Sequence, residues 1–219
     1  MLPFYGRRLS RNTKNYELDN LESFNYFFNN SISILKKKIS TSKTKSLNLE
    51  IGFGTGENLI FQSKRCNDEI FIACDPFISG SLKLKKKIED ERLGNIFFTS
   101  LGYFELYNFI KTFFFRKIYI LFPDPWPKKR HKKRRLINLE FVRTLKKITF
   151  VDSKVFVATD DHDYANQIRK SFLREKYFNQ EFYSTEYDHF RNDILCPTKY
   201  CLRAMNLRNK IYFFIFKQN

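Results

Sequence analysis

The chain has 219 residues, enough for one α/β domain with a full hydrophobic core but too few for two such domains. Apolar residues make up 42% of the sequence and 26 residues are Phe, which argues against a disordered chain. The 40 Lys and Arg residues exceed the 23 Asp and Glu residues and give a net charge of +17, which favours a polyanionic partner. Coding bias is the alternative for the scattered lysines, but it explains the cluster at residues 128–135 poorly.

Signals for metals, membranes and secretion are weak. The four cysteines form no Cys-x-x-Cys pair and only three histidines exist, so no metal site is predicted. Unpaired cysteines are typical of a reducing compartment, and we expect a cytoplasmic protein. No run of 18 apolar residues predicts a membrane span, and the first residues lack the apolar core of a signal peptide. A mitochondrial transit peptide is the alternative, which the nearby acidic residues Glu17, Asp19 and Glu22 disfavour.

The predicted elements begin with an amphipathic helix, because apolar residues recur at helical spacing from Leu18 to Ile39. The polar stretch Ser40–Lys45 is a predicted connector. We therefore assign residues 1–45 to a basic amino-terminal segment and a helix that packs on a single domain formed by residues 46–219.

Beyond residue 45, short apolar runs alternate with helical patterns. The runs predict strands at Leu47–Ile51, Ile70–Cys74, Ile96–Thr99, Ile118–Phe122 and Val155–Ala158. The helical patterns lie near residues 57–66, 80–91, 103–112, 137–148 and 161–175. This alternation predicts an α/β fold with a Rossmann-like, doubly wound, mostly parallel sheet. A late run, Ile211–Phe216, follows a stretch that we interpret as irregular and without a helix, and predicts an antiparallel strand at the end.

A glycine-rich turn follows the first predicted strand, where ligands of doubly wound sheets bind. It contains Gly52, Gly54 and Gly56 and allows both a sharp turn and close approach of a ligand. Glu57 occupies the position of the third glycine in a dinucleotide fingerprint, and its carboxylate would repel a pyrophosphate. S-adenosylmethionine has no phosphate and carries an ammonium and a sulfonium, so Glu50 suits this cofactor.

Asp75 ends the second predicted strand, 19 residues beyond Gly56, at about the spacing expected for an acid that binds a ribose. We therefore predict that Glu50, Gly52, Gly54 and Asp75 bind S-adenosylmethionine. A plain tight turn is the alternative for the glycines alone.

The segment that bears the chemistry follows the fourth predicted strand and runs Phe122-Pro-Asp124-Pro-Trp126-Pro, with a basic run from Lys128 to Arg135. The three prolines stiffen the loop and hold Asp124 in an extended conformation. Trp126, the only tryptophan, stands beside a carboxylate as in sites that orient a flipped base, and the basic run suits phosphates. A structural turn with a core Trp and a solvated charge run are the alternatives, but their combination in one loop favours a nucleic-acid site.

This segment resembles the hallmark of the tRNA (guanine-N7-)-methyltransferase family, a strand ending in Phe-Pro-Asp-Pro-Trp before a basic run. Tyr5–Arg8 resembles the family's basic amino-terminal segment, Leu49–Gly54 its cofactor loop, and Ala158–Asp160 and Thr198–Tyr200 its substrate motifs. The resemblance covers nearly the whole chain. It implies class I methyltransferase architecture, S-adenosylmethionine as cofactor, tRNA as partner, and methylation at N7 of guanine 46 in the variable loop.

By that resemblance, Glu50, Asp75 and Asp124 contact the cofactor, and Asp124 is also the catalytic residue. The residues implied to meet the RNA substrate are Lys128, Asp160, Thr198, Lys199, Tyr200 and Cys201. The chain departs from the family pattern at two places. Leu101-Gly102 stands where an acid near the adenine is usual, and Cys201 stands where a glutamate is usual.

The expected chemistry is simple, because guanine N7 carries an in-plane lone pair and no proton, so its methylation needs no general base. Positioning the lone pair and holding an anion near the cationic product ring are the remaining tasks, and Asp124 is expected to supply the anion. The first alternative is an exocyclic-amino methyltransferase, whose Asp/Asn-Pro-Pro-aromatic motif has one more proline. The second is a non-catalytic RNA-binding protein on the same fold. The sequence leaves the oligomeric state open between monomer and homodimer.

Overall fold

The computed structural model describes residues 8–9, 13–28, 33–41, 46–185 and 195–219. They belong to two compact units, one ending at Ile110 and the other spanning Lys111–Asn219. Of the predicted basic segment Tyr5–Arg8, only Arg8 lies within the described residues. None of the helices in these ranges combines the length and the apolar character that crossing a membrane requires.

In its described residues, the first unit contains three parallel strands, β1 (Leu47–Ile51), β2 (Ile70–Cys74) and β3 (Ile96–Thr99), in the order β3-β2-β1. Their pairing places Ile51 beside Cys74 and Cys74 beside Thr99, so the three strands end at one edge. All of their residues are buried, as expected for parallel strands covered on both faces. The three predicted apolar runs coincide with these strands.

Five helices belong to the described part of this unit: α1 (Asn15–Glu22), α2 (Ser33–Thr41), α3 (Glu57–Arg65), α4 (Ile78–Asp90) and α5 (Tyr103–Ile110). The helices between strands bury apolar stripes, for example Leu84 and Ile88 in α4. α1 packs against α4.

The single helix predicted from Leu18 to Ile39 is wrong. α1 ends at Glu22, and the chain then runs along β3, where Phe28 N donates to Phe98 O at 3.0 Å and Phe98 N donates to Tyr26 O at 2.9 Å. The backbone groups of β3 need partners on the side away from β2, and pairing with residues 26–28 supplies them. A long-range backbone interaction therefore overrides the local helical pattern.

The part of the second unit that the structure describes contains four strands, β4 (Phe115–Leu121), β5 (Thr149–Thr159), β6 (Phe178–Ser184) and β7 (Tyr212–Gln218), in the order β4-β5-β7-β6. β4 and β5 are parallel, whereas β7 runs antiparallel to both β5 and β6. The helices are a 3₁₀ helix (Lys129–Arg134), α6 (Leu139–Lys147), α7 (His162–Arg174) and α8 (Lys199–Asn206). The predicted α/β fold, with mostly parallel strands and an antiparallel strand at the end, is confirmed.

The stretch before β7 was predicted to be irregular and without a helix. This prediction is wrong, because the stretch contains both β6 and α8. β6 is buried only at its two ends, Phe178 and Ser184, while the residues between them alternate between exposed and half-buried, so it shows no continuous apolar run. α8 buries only Cys201 and Ala204, two small side chains that give a weak helical pattern. Both elements depend on packing within the unit more than on local apolar character.

Candidate active site

A glycine-rich loop joins β1 to α3 in the first unit. Gly52, Gly54 and Gly56 have φ angles of 80°, 58° and 79°, in the left-handed region that strains other residues. Gly52 N donates to Cys74 O at 2.7 Å, which starts the loop where β1 and β2 end. The sharp turn predicted at these glycines is confirmed.

Asp75 orders this loop from the end of β2. Its Oδ2 accepts a hydrogen bond from Gly54 N at 2.7 Å, and its Oδ1 accepts one from Phe77 N at 2.8 Å. A carboxylate oxygen can accept more than one hydrogen bond, so this structural role is compatible with the predicted ribose contact. The cofactor contact itself stays a prediction.

Glu50 is the more deeply buried of the two acids of this site, with 3% of its surface exposed against 9% for Asp75. The pKa of its carboxyl is raised to about 8, chiefly by burial; a hydrogen bond from Asn58 opposes this rise, and the nearby Glu57 and Asp75 add to it. That bond joins Asn58 Nδ2 to Glu50 Oε2 at 2.9 Å. A cation bound here would favour the ionised carboxylate, so the group fits an ammonium.

Two residues of α4 that contact this loop, Gly80 and Lys87, were missed by sequence reasoning. A Cβ on Gly80, in the first turn of α4, would lie 2.0 Å from Gly54 O, so only glycine lets α4 approach the loop this closely. Its signal was a glycine inside a helical pattern. Lys87 Nζ donates to Thr55 O at 2.7 Å and lies 3.6 Å from the carboxylate of Glu57, which holds the far side of the loop.

The loop after β3 does have an acid, although Leu101-Gly102 lacks one. Glu105 Oε2, from the first turn of α5, accepts a hydrogen bond from Gly102 N at 2.8 Å. The signal available in the sequence was a glutamate three residues into the helix start, the spacing of a capping box.

The predicted catalytic and substrate acids follow neighbouring strands of the second unit. Leu121 of β4 lies opposite Ala158 of β5, and Phe122 N donates to Ala158 O at 2.8 Å. Asp124 and Asp160 therefore leave the sheet at the same edge. The Asp124 side chain is exposed, yet the surrounding protein partly desolvates it and raises the pKa of its carboxyl. Phe122 and Trp126, on either side of Asp124, have φ angles of 53° and 44°, a strained conformation for aromatic residues.

The basic run divides into residues that contact protein and residues that face solvent. The Arg134 guanidinium lies 5.0 Å from the ring centroid of Trp126, and Lys132 Nζ lies 2.7 Å from the Asp163 carboxylate. Arg135 is 1% exposed, so the expectation that the whole run meets phosphates is wrong for this residue. The exposed members are Lys128, Lys129, Arg130 and Lys133.

The remaining predicted substrate residues lie around the start of α8. The Thr198 hydroxyl accepts a hydrogen bond from Cys201 N at 3.2 Å and so caps the helix. Cys201 is 3% exposed and lines a small, mainly apolar pocket with Leu121, Phe122, Ala158, Leu195, Cys196, Pro197 and Phe213. Lys199 and Tyr200 are exposed. This pocket is lined both by the start of α8 and by the ends of β4 and β5. The predicted substrate residues at the start of α8 therefore lie near the edge of the sheet where Asp124 and Asp160 are found.

Asn209, which the sequence analysis did not single out, donates from Nδ2 to Asp160 Oδ2 at 3.1 Å. The bond fixes one oxygen of the carboxylate. All four cysteines are free thiols, and within the described ranges no three His, Cys, Asp or Glu side chains group as ligands of a metal would.

Solved structures with a similar fold include methyltransferases. Superposition on a 16S rRNA methyltransferase includes 86% of this chain and 94% of the methyltransferase, with a TM-score of 0.61 and 11% sequence identity. A methyltransferase from Streptococcus mutans, solved in complex with SAH, covers 82% of this chain and 92% of its own length at a TM-score of 0.55 and 12% identity. These likenesses confirm the predicted methyltransferase fold.

The sequence comparisons are more specific. The family model described as "Putative methyltransferase" matches residues 44–214. A protein of Wolbachia pipientis wMel is 36% identical over 86% of this chain and 81% of its own length, and one of Neorickettsia sennetsu is 36% identical over 77% and 74%. Both are named tRNA (guanine-N(7)-)-methyltransferase. Similarity of this extent along both chains shows that the protein belongs to the tRNA (guanine-N(7)-)-methyltransferase family of S-adenosylmethionine-dependent enzymes.

Proposed function

We propose that this protein transfers the methyl group of S-adenosylmethionine to N7 of a guanine in tRNA and so forms 7-methylguanosine. The observation that carries the proposal is the exposed carboxylate of Asp124, held in a proline-stiffened, strained segment and followed by an exposed basic face. The names of the relatives support both the target atom and the RNA class.

The first unit supplies the cofactor site in this proposal. The buried Glu50 suits the ammonium of S-adenosylmethionine, and the loop that Asp75 orders suits an uncharged ribose. Glu57 at the start of α3 disfavours a pyrophosphate, because it would place two negative charges at one helix end. When bound, the cofactor supplies an electrophilic methyl group on a sulfonium.

The second unit supplies the guanine site. Guanine N7 attacks with its own lone pair, so the protein has to hold the base in line and stabilise the positive charge that develops on the ring. We assign the second task to Asp124. Asp160 accepts a hydrogen bond from the N1–H or N2–H edge of guanine, since a buried edge without a partner would cost about 1–3 kcal/mol.

Incubation of the protein with methyl-labelled cofactor and unmodified tRNA, followed by mass analysis of the nucleosides, tests the proposal. We expect 7-methylguanosine as the labelled product. Label in an adenosine or cytidine derivative would instead indicate an exocyclic-amino methyltransferase, and tRNA binding without any methylated product would indicate a non-catalytic RNA-binding protein.

The Asp124→Asn variant tests the role of the charge, because it keeps the size and polarity of the side chain and removes its negative charge. Electrostatic contributions of this kind amount to about 2.7–4 kcal/mol, so we expect turnover to fall about a hundredfold or more. Near-normal turnover would show that the charge of Asp124 is not used.

The family resemblance extends the proposal to guanine 46 in the variable loop, in a cytoplasmic enzyme that needs no metal and acts as a monomer or a homodimer. Residues 46–219 form the catalytic domain in this proposal, with residues 1–45 as an accessory segment.

A further inference from the structure

Arg135 is the buried end of an otherwise accessible basic run. It is 1% exposed, whereas Lys128, Lys129, Arg130 and Lys133 are exposed. Burial of a guanidinium is unfavourable unless hydrogen bonds and opposite charges replace the lost water. A residue that met tRNA phosphates would not need this burial, so Arg135 has a different task from its neighbours.

The contacts of Arg135 connect α7 to the residue directly after Asp124. Its Nε donates to Pro125 O at 2.6 Å. Its Nη1 donates to Asp163 Oδ2 at 2.6 Å and to Gln167 Oε1 at 3.0 Å, and its Cζ lies 4.8 Å from the ring centroid of Tyr164. The planar fork of the guanidinium allows these bonds to form together, and no other side chain offers that geometry.

The segment that Arg135 holds is strained. Phe122 and Trp126 both have positive φ angles, and Pro125 lies between them with its carbonyl on Arg135. Residues in such conformations persist only when their surroundings impose them. The bond from Arg135 Nε is one such constraint, and it acts on the peptide group next to Asp124.

We propose that Arg135 is a positioning residue, which anchors the Pro123–Pro127 segment through the carbonyl of Pro125 and so sets the place of the Asp124 carboxylate. This inference rests on the proposed function for its catalytic consequence. It assigns to Arg135 an effect on turnover and none on the phosphates of tRNA.

Trp126 offers a direct probe, because it is the only tryptophan and lies in the anchored segment. Acrylamide quenching of its fluorescence, measured on the unliganded protein, reports how well the segment is held. The variants are Arg135→Met, which removes the anchor, and Arg135→Lys, which keeps the charge and loses the fork. Lys133→Met is the matched control, since it removes one charge from the exposed part of the same run.

We expect quenching of Trp126 to become more efficient from wild type to Arg135→Lys to Arg135→Met. The kcat should fall in the same order, by up to about a hundredfold in Arg135→Met, because a small misplacement of a catalytic group can cost this much. The KM for tRNA and the salt dependence of tRNA binding should stay close to wild type in both Arg135 variants. Lys133→Met should show the opposite pattern, with wild-type quenching, a weaker salt dependence and a higher KM.

Thermal unfolding curves of all variants identify a temperature at which each of them is folded. Quenching and kcat are measured at that temperature, so that a loss of stability is not mistaken for a loss of positioning. If Arg135→Met does not fold, Asp163→Asn replaces it, because Asp163 is a half-exposed surface residue that contributes one acceptor to Arg135. Asp163→Asn should give a smaller change in quenching and kcat in the same direction. Lys132→Met, which removes the other cation bound to Asp163, should leave the quenching at its wild-type value.

Unchanged quenching and unchanged kcat in a folded Arg135→Met or Asp163→Asn variant would overturn the inference, as would a weaker salt dependence with wild-type quenching. The quenching measurement needs neither tRNA nor cofactor. If the wild-type protein formed no 7-methylguanosine, the proposed function would fail while the anchoring of the segment would still be tested.

Discussion

Glu50 links the chemistry of the cofactor loop to the stability of the protein. Its pKa in the folded protein is about 8, above the value of 4.5 for an unperturbed glutamate. The folded state therefore holds this proton more strongly than the unfolded state does. Stability falls as the pH rises from about 4.5 to about 8, because the unfolded chain ionises first.

The Glu50→Gln variant should remove this pH dependence. We expect its melting temperature to exceed that of the wild type by an amount that grows between pH 5 and pH 8, in scanning calorimetry without cofactor. A difference that stays constant across this range would mean that Glu50 titrates normally.

The same variant should bind S-adenosylmethionine more weakly, since a hydrogen bond to a charged partner contributes about 1.5–3 kcal/mol. Titration calorimetry at pH 8 measures the loss, with Glu105→Gln as a control acid in the same unit. Equal losses in the two variants would show that Glu50 has no special place in the cofactor site.

Asp160 and Cys201 are both predicted substrate residues, but the structure places them differently. Asp160 is partly accessible and oriented by Asn209, whereas Cys201 is buried in the wall of an apolar pocket. We expect Cys201→Ala to lower kcat/KM by the equivalent of less than about 1 kcal/mol in transition-state stabilisation. Asp160→Ala should lower it by the equivalent of about 1–3 kcal/mol, the cost of an unpaired polar edge. Steady-state kinetics with tRNA compares them. If Cys201→Ala proved as damaging as Asp160→Ala, the thiol would have a role of its own.

At the scale of elements, the approach of α4 to the glycine loop depends on one missing side chain. Gly80→Ala would place a methyl group against Gly54 O, and the loop would have to move. Overpacking of this kind costs about 1–3 kcal/mol, so we expect affinity for S-adenosylmethionine to fall roughly 5- to 150-fold. Gly94→Ala is the matched control, because its Cβ would meet its nearest neighbour, Tyr26 Oη, at an ordinary 3.6 Å. Calorimetry showing equal affinities for the two variants would contradict this account of the loop.

The elements that the sequence predicts best are those whose signals are local. β1, β2 and β3 are buried along their whole length, so each appears as one continuous apolar run. The break between α1 and α2 escaped prediction because it depends on pairing with β3, where Phe27 pairs with Phe98, 71 residues further along the chain. β6 is buried only at its two ends and α8 buries only small residues, so neither leaves a strong pattern.

The site was predictable to a similar extent. The positions of Glu50, Asp75, Asp124 and Asp160 at strand ends follow from the order of apolar runs and acids. The contributions of Gly80, Glu105 and Asn209 do not, because each acts on a loop through a contact that only the fold creates. Arg135 shows the reverse case, in which a residue that looks like a surface charge is buried.

At the scale of the whole molecule, the net charge of +17 predicts a strong dependence of tRNA binding on salt. A plot of log affinity against log salt has a negative slope, and its steepness should decrease by about 0.7–0.9 for each phosphate contact removed. We expect the triple variant of Lys128, Lys129 and Lys133 to Ala to lower this steepness by about 2–3, in fluorescence titrations over several salt concentrations. Lys83, Lys86 and Lys146 changed together to Ala serve as a control for lost charge elsewhere. An equal decrease in both triple variants would mean that the basic run has no preferred contact with RNA.

Methyl transfer to N7 of guanine is the central claim of the proposed function. A tRNA in which guanine 46 is replaced by 7-deazaguanine keeps the base-pairing edge and the phosphates but has a C–H group in place of N7. With methyl-labelled S-adenosylmethionine, we expect label to enter the unmodified tRNA and not the 7-deaza tRNA, while both bind with similar affinity. Equal labelling of the two RNAs would contradict methylation at N7 of guanine 46.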